Sequence, residues 1–202
     1  MILILCIVCV LVLLIIFPSK ETFGLRYIED FFPEEVYLQI RNECLKLKKK
    51  LKEEKNSIAV GRIGTTLSED HPISQICNSN MTIQKLKLPP NVIPSDTPVE
   101  YRLYPKGGQM DWHKDTVLYT KPQYEMVYTV NNTSDSKTLW YDSKSGQVNS
   151  VSTKPNSMIV VKADDIQHAV SEVTTGERGI LKFAYTDTLE KTSDYYKNVP
   201  YY

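Results

Sequence analysis

Between residues 99 and 186 the chain consists of short segments in which polar and apolar residues alternate, separated by polar turns. In the first segment Val99, Tyr101 and Leu103 occupy every second position, which is typical of a strand with one buried face. Further strands are predicted over residues 116–120, 124–131, 138–141, 147–151, 157–162 and 179–186. A series of short strands like this restricts the fold to an all-β sandwich or barrel.

The composition is that of an ordinary globular protein. The 202 residues are 42% hydrophobic and 24% charged, and 24 basic residues balance 24 acidic ones. This length suits one domain with a small appendage. Because there is no basic surplus, nucleic acid is excluded as an expected partner.

The N-terminal segment from Met1 to Phe17 is an unbroken apolar run. As a helix it would be roughly 25 Å long, close to the ~27 Å hydrocarbon core of a thin bilayer. A cleaved signal segment is the alternative, but no Lys or Arg precedes Lys20, and a basic start is expected of a signal peptide. The sequence therefore predicts a single-pass transmembrane anchor over residues 1–17, through which the protein contacts the membrane.

The side of the membrane is indicated by two opposing patterns. Lys20 and Arg26 favour a cytoplasmic location for the rest of the chain. Three glycosylation sequons favour the lumen of the endoplasmic reticulum and secretory pathway, which is the expectation adopted; they begin at Asn80, Asn131 and Asn132. In such a lumen Cys44 and Cys77 would either pair or remain two buried free thiols, and the sequence leaves both alternatives open.

Two regions flank the predicted strands. Residues 18–94 are expected to form a stalk and an N-terminal helical support region. Pro33 followed by Glu34 and Glu35 is typical of the first turn of a helix, and an apolar stripe at helical spacing follows. Residues 188–202 form a polar, tyrosine-rich C-terminal tail.

The pattern that carries chemistry is His113-Lys-Asp115, followed more than fifty residues later by His168. Residues two apart on a strand point to the same side, so His113 and Asp115 can hold one metal ion together. His168 lies between two predicted strands, from where a third ligand can point inward. Two imidazoles and one carboxylate hold the iron of non-haem Fe(II) oxygenases and leave one face of the ion open.

A candidate ligand-binding cation, Arg178, lies ten residues after His168. The intervening residues 174–177 are typical of a hairpin turn, which would bring Arg178 back towards the metal ligands. A buried guanidinium needs an anionic partner, and the carboxylate of a bound ligand would supply it. The alternative is a surface salt bridge with Glu172 or Glu177.

The chain resembles the 2-oxoglutarate- and Fe(II)-dependent oxygenases, most closely their prolyl 4-hydroxylase-like branch. The motif that carries this resemblance consists of Tyr104, Gly107, Met110, His113, Asp115, His168 and Arg178. The resemblance implies a mainly β protein with flanking helices: a double-stranded β-helix, or jelly-roll/cupin-like barrel, preceded by the helical region and the membrane anchor. It implies that residues 95–187 are the dioxygenase domain.

The resemblance also implies the roles of individual residues. The catalytic Fe(II) ligands would be His113, Asp115 and His168. Arg178 would bind the distal carboxylate of 2-oxoglutarate, and Tyr104 and Tyr128 would line the same pocket. O₂ would be the second cosubstrate, with ascorbate as an optional reductant.

The implied activity is hydroxylation of a polypeptide side chain, coupled to decarboxylation of 2-oxoglutarate to succinate. Two departures from the family pattern put proline as the substrate in question. Arg178 stands where collagen-type enzymes usually carry lysine, and Ser136-Lys-Thr138 lacks the two glycines that usually precede the threonine. The alternatives are a membrane-tethered jelly-roll module with a binding or structural role, and another cupin-type metalloenzyme.

Overall fold

The computed structural model describes residues 24–54 and 58–198. These residues form two antiparallel β-sheets that face each other across a cavity, with helices against the outer face of the larger sheet. The strands in chain order are β1 (Arg26–Ile28), β2 (Lys52–Glu53), β3 (Ala59–Val60), β4 (Ile63–Leu67), β5 (Ile93–Pro94), β6 (Val99–Tyr104), β7 (Gln109–His113), β8 (Gln123–Asn132), β9 (Thr138–Asp142), β10 (Gln147–Val151), β11 (Ser157–Lys162), β12 (His168–Val170) and β13 (Arg178–Thr186). The helices are α1 (Glu34–Leu47), α2 (Pro72–Cys77), α3 (Asn80–Leu86) and α4 (Ser193–Asn198), and a 3₁₀ turn (Lys48–Lys50) follows α1.

The sheet topology is that of a jelly-roll-like barrel. The larger sheet has the strand order β1-β11-β8-β13-β6-β4-β2, with β5 paired to β13, and the smaller has the order β10-β9-β12-β7-β3. At the centre of the larger sheet β8 and β13 pair from Arg178 opposite Asn132 to Thr186 opposite Gln123. In the smaller sheet β12 lies between β9 and β7. The predicted β-barrel with flanking helices is therefore confirmed.

Strand β8 divides its side chains between the two faces of the larger sheet. Successive strand residues point to opposite faces, so every second side chain enters the hydrophobic core beneath the helices: Tyr124, Met126, Tyr128 and Val130. Val127, of the opposite parity, lines the cavity between the sheets. The helix-facing side of the sheet is thus apolar, while the other side is available for a site.

Helix α1 begins directly after Pro33, as predicted. Glu34 and Glu35 lie in its first turn, where the helix dipole favours acidic residues. Its residues Ile40 and Cys44 are buried in the core. Cys44 and Cys77 are both buried and both free, so the structure has the unpaired thiols rather than the disulfide.

The helical layer is joined to the sheet through Asn156, which has a positive φ of 59°. Its side-chain oxygen accepts hydrogen bonds from the Phe32 amide and the Tyr128 hydroxyl, both at 2.9 Å. Its side-chain nitrogen donates to the Phe32 carbonyl at 2.8 Å. One side chain therefore connects the segment that leads into α1 with the centre of the larger sheet.

Three sequence predictions are corrected at the level of elements. Residues 116–120 are not a strand: their backbone bonds instead to the C-terminal segment, through Thr120 to Glu190 and Thr192 to Leu118, with one isolated bridge at Tyr119. The N-terminal region also contributes strands, since β1 pairs with β11 and β4 with β6. Residues 171–177 do not form a hairpin, because β12 and β13 belong to different sheets.

The predicted membrane association is corrected as well. Within residues 24–54 and 58–198 no helix is long and apolar enough to cross a bilayer. The proposed anchor, residues 1–17, lies outside the described residues. The described helices therefore contradict the prediction of a single-pass, membrane-anchored protein on the lumenal side.

Candidate metal centre

The two predicted histidine ligands are neighbours across the smaller sheet. His113 ends β7, His168 begins β12, and the antiparallel register places the two residues directly opposite each other, with ring centroids 4.3 Å apart. Asp115 follows β7 by two residues, and its Oδ2 is 3.5 Å from His168 Nε2. One donor atom from each of the three residues lies within 4.8 Å of the other two. The three predicted ligands therefore converge on one point.

Backbone carbonyls fix the protonation pattern of both imidazoles. His113 Nδ1 lies 2.8 Å from the Asp111 carbonyl, and His168 Nδ1 lies 3.2 Å from the Ile166 carbonyl. A carbonyl can only accept, so each Nδ1 carries the proton and each Nε2 keeps a free lone pair for a metal ion. Burial, and then the neighbouring His168, lower the pKa of His113 to about 4, so its ring is neutral at physiological pH.

The carboxylate ligand is held by a lysine from the larger sheet. Lys182 Nζ lies 3.0 Å from Asp115 Oδ1 and 3.5 Å from Glu125 Oε2. Burial alone would raise the pKa of Asp115, but Lys182, followed by His168 and His113, lowers it below its usual range. Asp115 is therefore ionised at neutral pH, as a metal ligand must be.

Arg178 lies in the same cavity with an unsatisfied guanidinium. It begins β13, opposite Tyr104 of β6, and its side chain is only 1% exposed. Neither Nε nor Nη1 has a hydrogen-bond partner, and within the described chain no carboxylate lies within ion-pair distance of it. Burial lowers the pKa of Arg178 from its usual range, and the nearby Tyr104 and Tyr27 offset this effect only in part. The alternative of a surface salt bridge with Glu177 is not formed, because Arg178 is buried and Glu177 pairs with Lys48.

The cavity runs between the metal ligands and Arg178. It is lined from the smaller sheet by the two histidines and Thr138, and from the larger sheet mainly by Tyr104, Ile180 and Lys182. Tyr104 is where the sequence predicted it, with its hydroxyl accepting from Arg62 Nη1 at 3.0 Å. Thr138 Oγ1 is buried and has no partner. The cavity thus combines an apolar wall with an unpartnered cation and an unpartnered hydroxyl, which suits a small carboxylate-bearing ligand.

One predicted pocket residue is placed elsewhere. Tyr128 does not line the cavity; its ring packs against Phe31 and Phe32, and its hydroxyl donates to Asn156. The physical reason is the alternation of side chains along β8, whose even-numbered residues face the helices rather than the cavity. Conversely, Thr138 and Lys182 line the cavity and were not predicted. For Lys182 a signal exists in the sequence, because it lies four residues after Arg178 and therefore on the same face of a strand.

No protein-family model matches the chain, and no curated protein matches it significantly. Solved structures do match. A prolyl-4-hydroxylase from Pseudomonas putida aligns with a TM-score of 0.65 at 16% identity, covering 81% of this chain and 92% of the other. The chain has the fold of the 2-oxoglutarate- and Fe(II)-dependent oxygenases.

Two further structures carry ligands that bear on the site. A prolyl hydroxylase from Trichoplax adhaerens, in complex with a hypoxia inducible factor oxygen degradation domain peptide fragment, aligns with a TM-score of 0.63 at 13% identity over 81% of this chain and 84% of that one. HygX from Streptomyces hygroscopicus, with nickel and 2-oxoglutarate bound, aligns with a TM-score of 0.64 at 10% identity over 82% and 83%. The resemblance predicted from the motif is confirmed for the fold.

Proposed function

We propose that the chain is an Fe(II)- and 2-oxoglutarate-dependent dioxygenase that hydroxylates a substrate while 2-oxoglutarate is decarboxylated to succinate. The observation that carries the proposal is the content of one cavity: three converging metal-ligand atoms at one end and the unpartnered guanidinium of Arg178 at the other. The donor set of two imidazoles and one carboxylate suits Fe(II) with open coordination positions. A bound dicarboxylate would supply the anion that Arg178 lacks.

Each residue has a role that follows from its contacts. His113, Asp115 and His168 would hold the iron, and Arg178 would orient the distal carboxylate of 2-oxoglutarate, with the free hydroxyl of Thr138 as a further donor. Tyr104 would form one wall of the pocket. When bound, iron and 2-oxoglutarate would activate O₂: one oxygen atom would enter a substrate C–H bond, and the other would enter succinate as 2-oxoglutarate loses CO₂. Ascorbate would be an optional reductant. The protein itself positions the cosubstrate and keeps water away from the pocket.

We propose a polypeptide as the substrate. A groove of about 390 Å³ is lined by Trp140, Tyr141, Lys114 and Gln167 among others. Lys114 separates two of the ligands in sequence, and Gln167 directly precedes the third, so the backbone that carries the ligands also borders this groove. The Trichoplax adhaerens structure contains a peptide. An aromatic wall with flanking polar groups suits an extended polypeptide segment.

We also propose that residues 95–187 carry the catalytic centre, with residues 18–94 as support and residues 188–202 as a tail. All side chains assigned above, from Tyr104 to Lys182, lie within residues 95–187. These regions differ in their proposed roles but are not separate structural units, because β1 and β4 of the support region pair with strands of the barrel.

The test is production of succinate by the purified full chain supplied with Fe(II), 2-oxoglutarate and air. We expect turnover by the wild-type chain and none by Asp115→Ala, whereas Asp187→Ala, which removes an exposed carboxylate away from the cavity, should keep it. Peptide libraries rich in proline or lysine, analysed by mass spectrometry for a gain of one oxygen atom, would identify the substrate. Succinate formation that persists in Asp115→Ala would contradict the proposal. Metal binding without 2-oxoglutarate binding would instead favour a binding module or another cupin-type enzyme.

A further inference from the structure

Lys182 is the one cation that contacts a predicted metal ligand within the described residues. It lies on β13 with Arg178 and Ile180, on the face that lines the cavity. Its side chain is 22% exposed, and its ammonium lies 3.0 Å from Asp115 Oδ1. None of the roles under the proposed function uses this lysine.

The two oxygens of Asp115 have different surroundings. Oδ1 accepts from Lys182, whereas Oδ2 lies 3.5 Å from His168 Nε2 on the side where the three donor atoms converge. The Asp115 side chain is only 7% exposed, so little solvent competes for either oxygen. The ammonium therefore leaves Oδ2 as the oxygen available to an ion and restricts rotation of the carboxylate.

Lys182 has a second carboxyl neighbour, Glu125, which is itself held by Gln123. Glu125 is 4% exposed; its Oε2 lies 3.5 Å from Lys182 Nζ, and its Oε1 accepts a short hydrogen bond from Gln123 Nε2. Burial raises the pKa of Glu125, and Lys182 opposes this effect only in part. The charge of Lys182 is balanced by the nearer carboxylate, Asp115, so the ion would not face an uncompensated cation.

We infer that Lys182 is a positioning residue of the metal centre: it holds Oδ1 of Asp115 so that Oδ2 is presented to the ion beside the two histidines. The inference rests on the proposed metal centre. Residues that orient a metal ligand in this way typically change metal affinity by about 10–100-fold when they are removed. Electrostatics alone predicts the opposite sign, because loss of a nearby positive charge should tighten the binding of a divalent cation.

The experiment is titration of the full chain with Co(II) under anaerobic conditions, following the visible absorption bands that report coordination geometry. Lys182→Met alone would leave two buried carboxylates without a cation and is expected to impair folding. The informative variant is therefore the double substitution Lys182→Met/Glu125→Gln, which removes the ammonium together with the acidity of the carboxyl group packed against it. We expect it to bind Co(II) about 10–100-fold more weakly than the wild type, with altered absorption bands.

Two controls accompany the double variant. Glu125→Gln keeps the contact between Lys182 and Asp115 and should keep the wild-type absorption bands. Lys85→Met removes another hydrogen-bonded ammonium, on an exposed residue; it donates to the Phe31 carbonyl outside the cavity, and its loss should leave Co(II) binding unchanged. Circular dichroism of each variant establishes that it is folded.

The outcomes separate this inference from the proposed function. If the wild type binds Co(II) and the double variant binds it with the same affinity and spectrum, Lys182 is a structural ion pair and the inference is overturned while the metal centre stands. If the wild type does not bind Co(II), or Asp115→Ala binds it equally well, the metal centre itself is overturned. Weaker binding by the double variant, together with an unchanged spectrum in Glu125→Gln, supports the positioning role.

Discussion

Arg178 carries a charge that the folded protein leaves without a partner. Its guanidinium is 1% exposed and two of its nitrogens have no acceptor, whereas Arg62, also 1% exposed, is paired with Glu54 at 2.5 Å. Burying an unpaired charge costs free energy, which a bound anion would offset. The free energy of unfolding and the affinity for 2-oxoglutarate are therefore expected to respond in opposite directions to removal of Arg178.

We predict that Arg178→Met raises the free energy of unfolding of the ligand-free protein by about 1–4 kcal/mol, because an uncompensated buried charge is replaced by an apolar side chain of similar length. The same variant should weaken 2-oxoglutarate binding to the Ni(II)-loaded protein by about 30-fold or more, equivalent to about 2 kcal/mol. Urea denaturation and calorimetry measure the two effects.

Arg62→Met is the matched control for Arg178→Met. It removes an equally buried guanidinium that has a carboxylate partner, so it should lower the free energy of unfolding by about 3–5 kcal/mol. If Arg178→Met destabilises the protein as much as Arg62→Met does, Arg178 is a structural residue and its assignment to the cosubstrate fails.

At the scale of residues the sequence predicted the site well where spacing decides it. The two-residue spacing of His113 and Asp115 is a property of the local chain, whereas His168 joins them through the pairing of β12 with β7. Tyr128 was wrongly predicted to line the pocket. It lies an even number of residues from Tyr124, Met126 and Val130, so the sequence already indicated that it shares their face of the strand. Thr138 had no such signal, since its hydroxyl becomes significant only when the two sheets face each other.

At the scale of elements, the connection between β12 and β13 sets the position of Arg178. Gly176 lies two residues before Arg178 with φ 71°, and a Cβ added there would collide with the backbone carbonyl of Thr133. The same connection is fixed by Asp135, whose carboxylate accepts from the amides of Thr174 and Thr175 at 2.9 and 3.1 Å. A change at Gly176 therefore has to move the backbone that carries the guanidinium.

We predict that Gly176→Ala lowers the free energy of unfolding by about 2–5 kcal/mol, of which about 1–2 kcal/mol comes from the left-handed backbone and the rest from the collision. It should also weaken 2-oxoglutarate binding. Gly146→Ala is the control: its φ is 70°, but nothing lies within 4 Å of the added Cβ, so only the backbone cost of about 1–2 kcal/mol applies. Equal losses in urea denaturation of the two variants would show that the collision is relieved without cost.

Six of the seven predicted strands are present, because alternation of polar and apolar residues is a local property. The assignment of strands to sheets was not predicted: residues 174–177 have the composition of a hairpin turn, yet they connect two sheets. Residues 116–120 have strand-like composition, but their partner is the C-terminal segment around Lys191 rather than a neighbouring strand. Pairing between distant segments depends on the packed structure, so it does not appear in a local pattern.

At the scale of the whole molecule, Asn156 is one of the polar connections between the helical layer and the larger sheet; the Tyr185 hydroxyl, which donates to the Cys77 carbonyl, is another. We predict that Asn156→Gly lowers the free energy of unfolding by about 2–4 kcal/mol, because Phe32 and Tyr128 lose their hydrogen-bond partners in a buried position. Asn156→Ala should be worse by about 1 kcal/mol, because alanine also disfavours the φ of 59°. Urea denaturation followed by tryptophan fluorescence measures both, and losses below about 1 kcal/mol would contradict the assignment.

The fold class followed from the sequence because the strand pattern covers most of the barrel. The apolar face of β8 and the stripe on α1 each predict a buried surface, and the structure packs these surfaces against each other. The contribution of β1 was not predicted, since three residues carry too little pattern and their partner β11 lies more than a hundred residues away. The N-terminal membrane prediction rested on residues that the structure does not describe.

The position of β12 between β7 and β9 makes the pair of histidines a property of the folded barrel. His113 and His168 are separated by several strands in the chain and become adjacent only when β12 has docked on both neighbours. An ion therefore has no preformed pair of imidazoles to bind in the unfolded chain, and loading comes after the barrel has closed. In this respect the protein differs from small zinc-dependent domains, whose folding is driven by the ion itself. Treatment with a chelator should accordingly yield an inactive protein that is still folded and can be recharged.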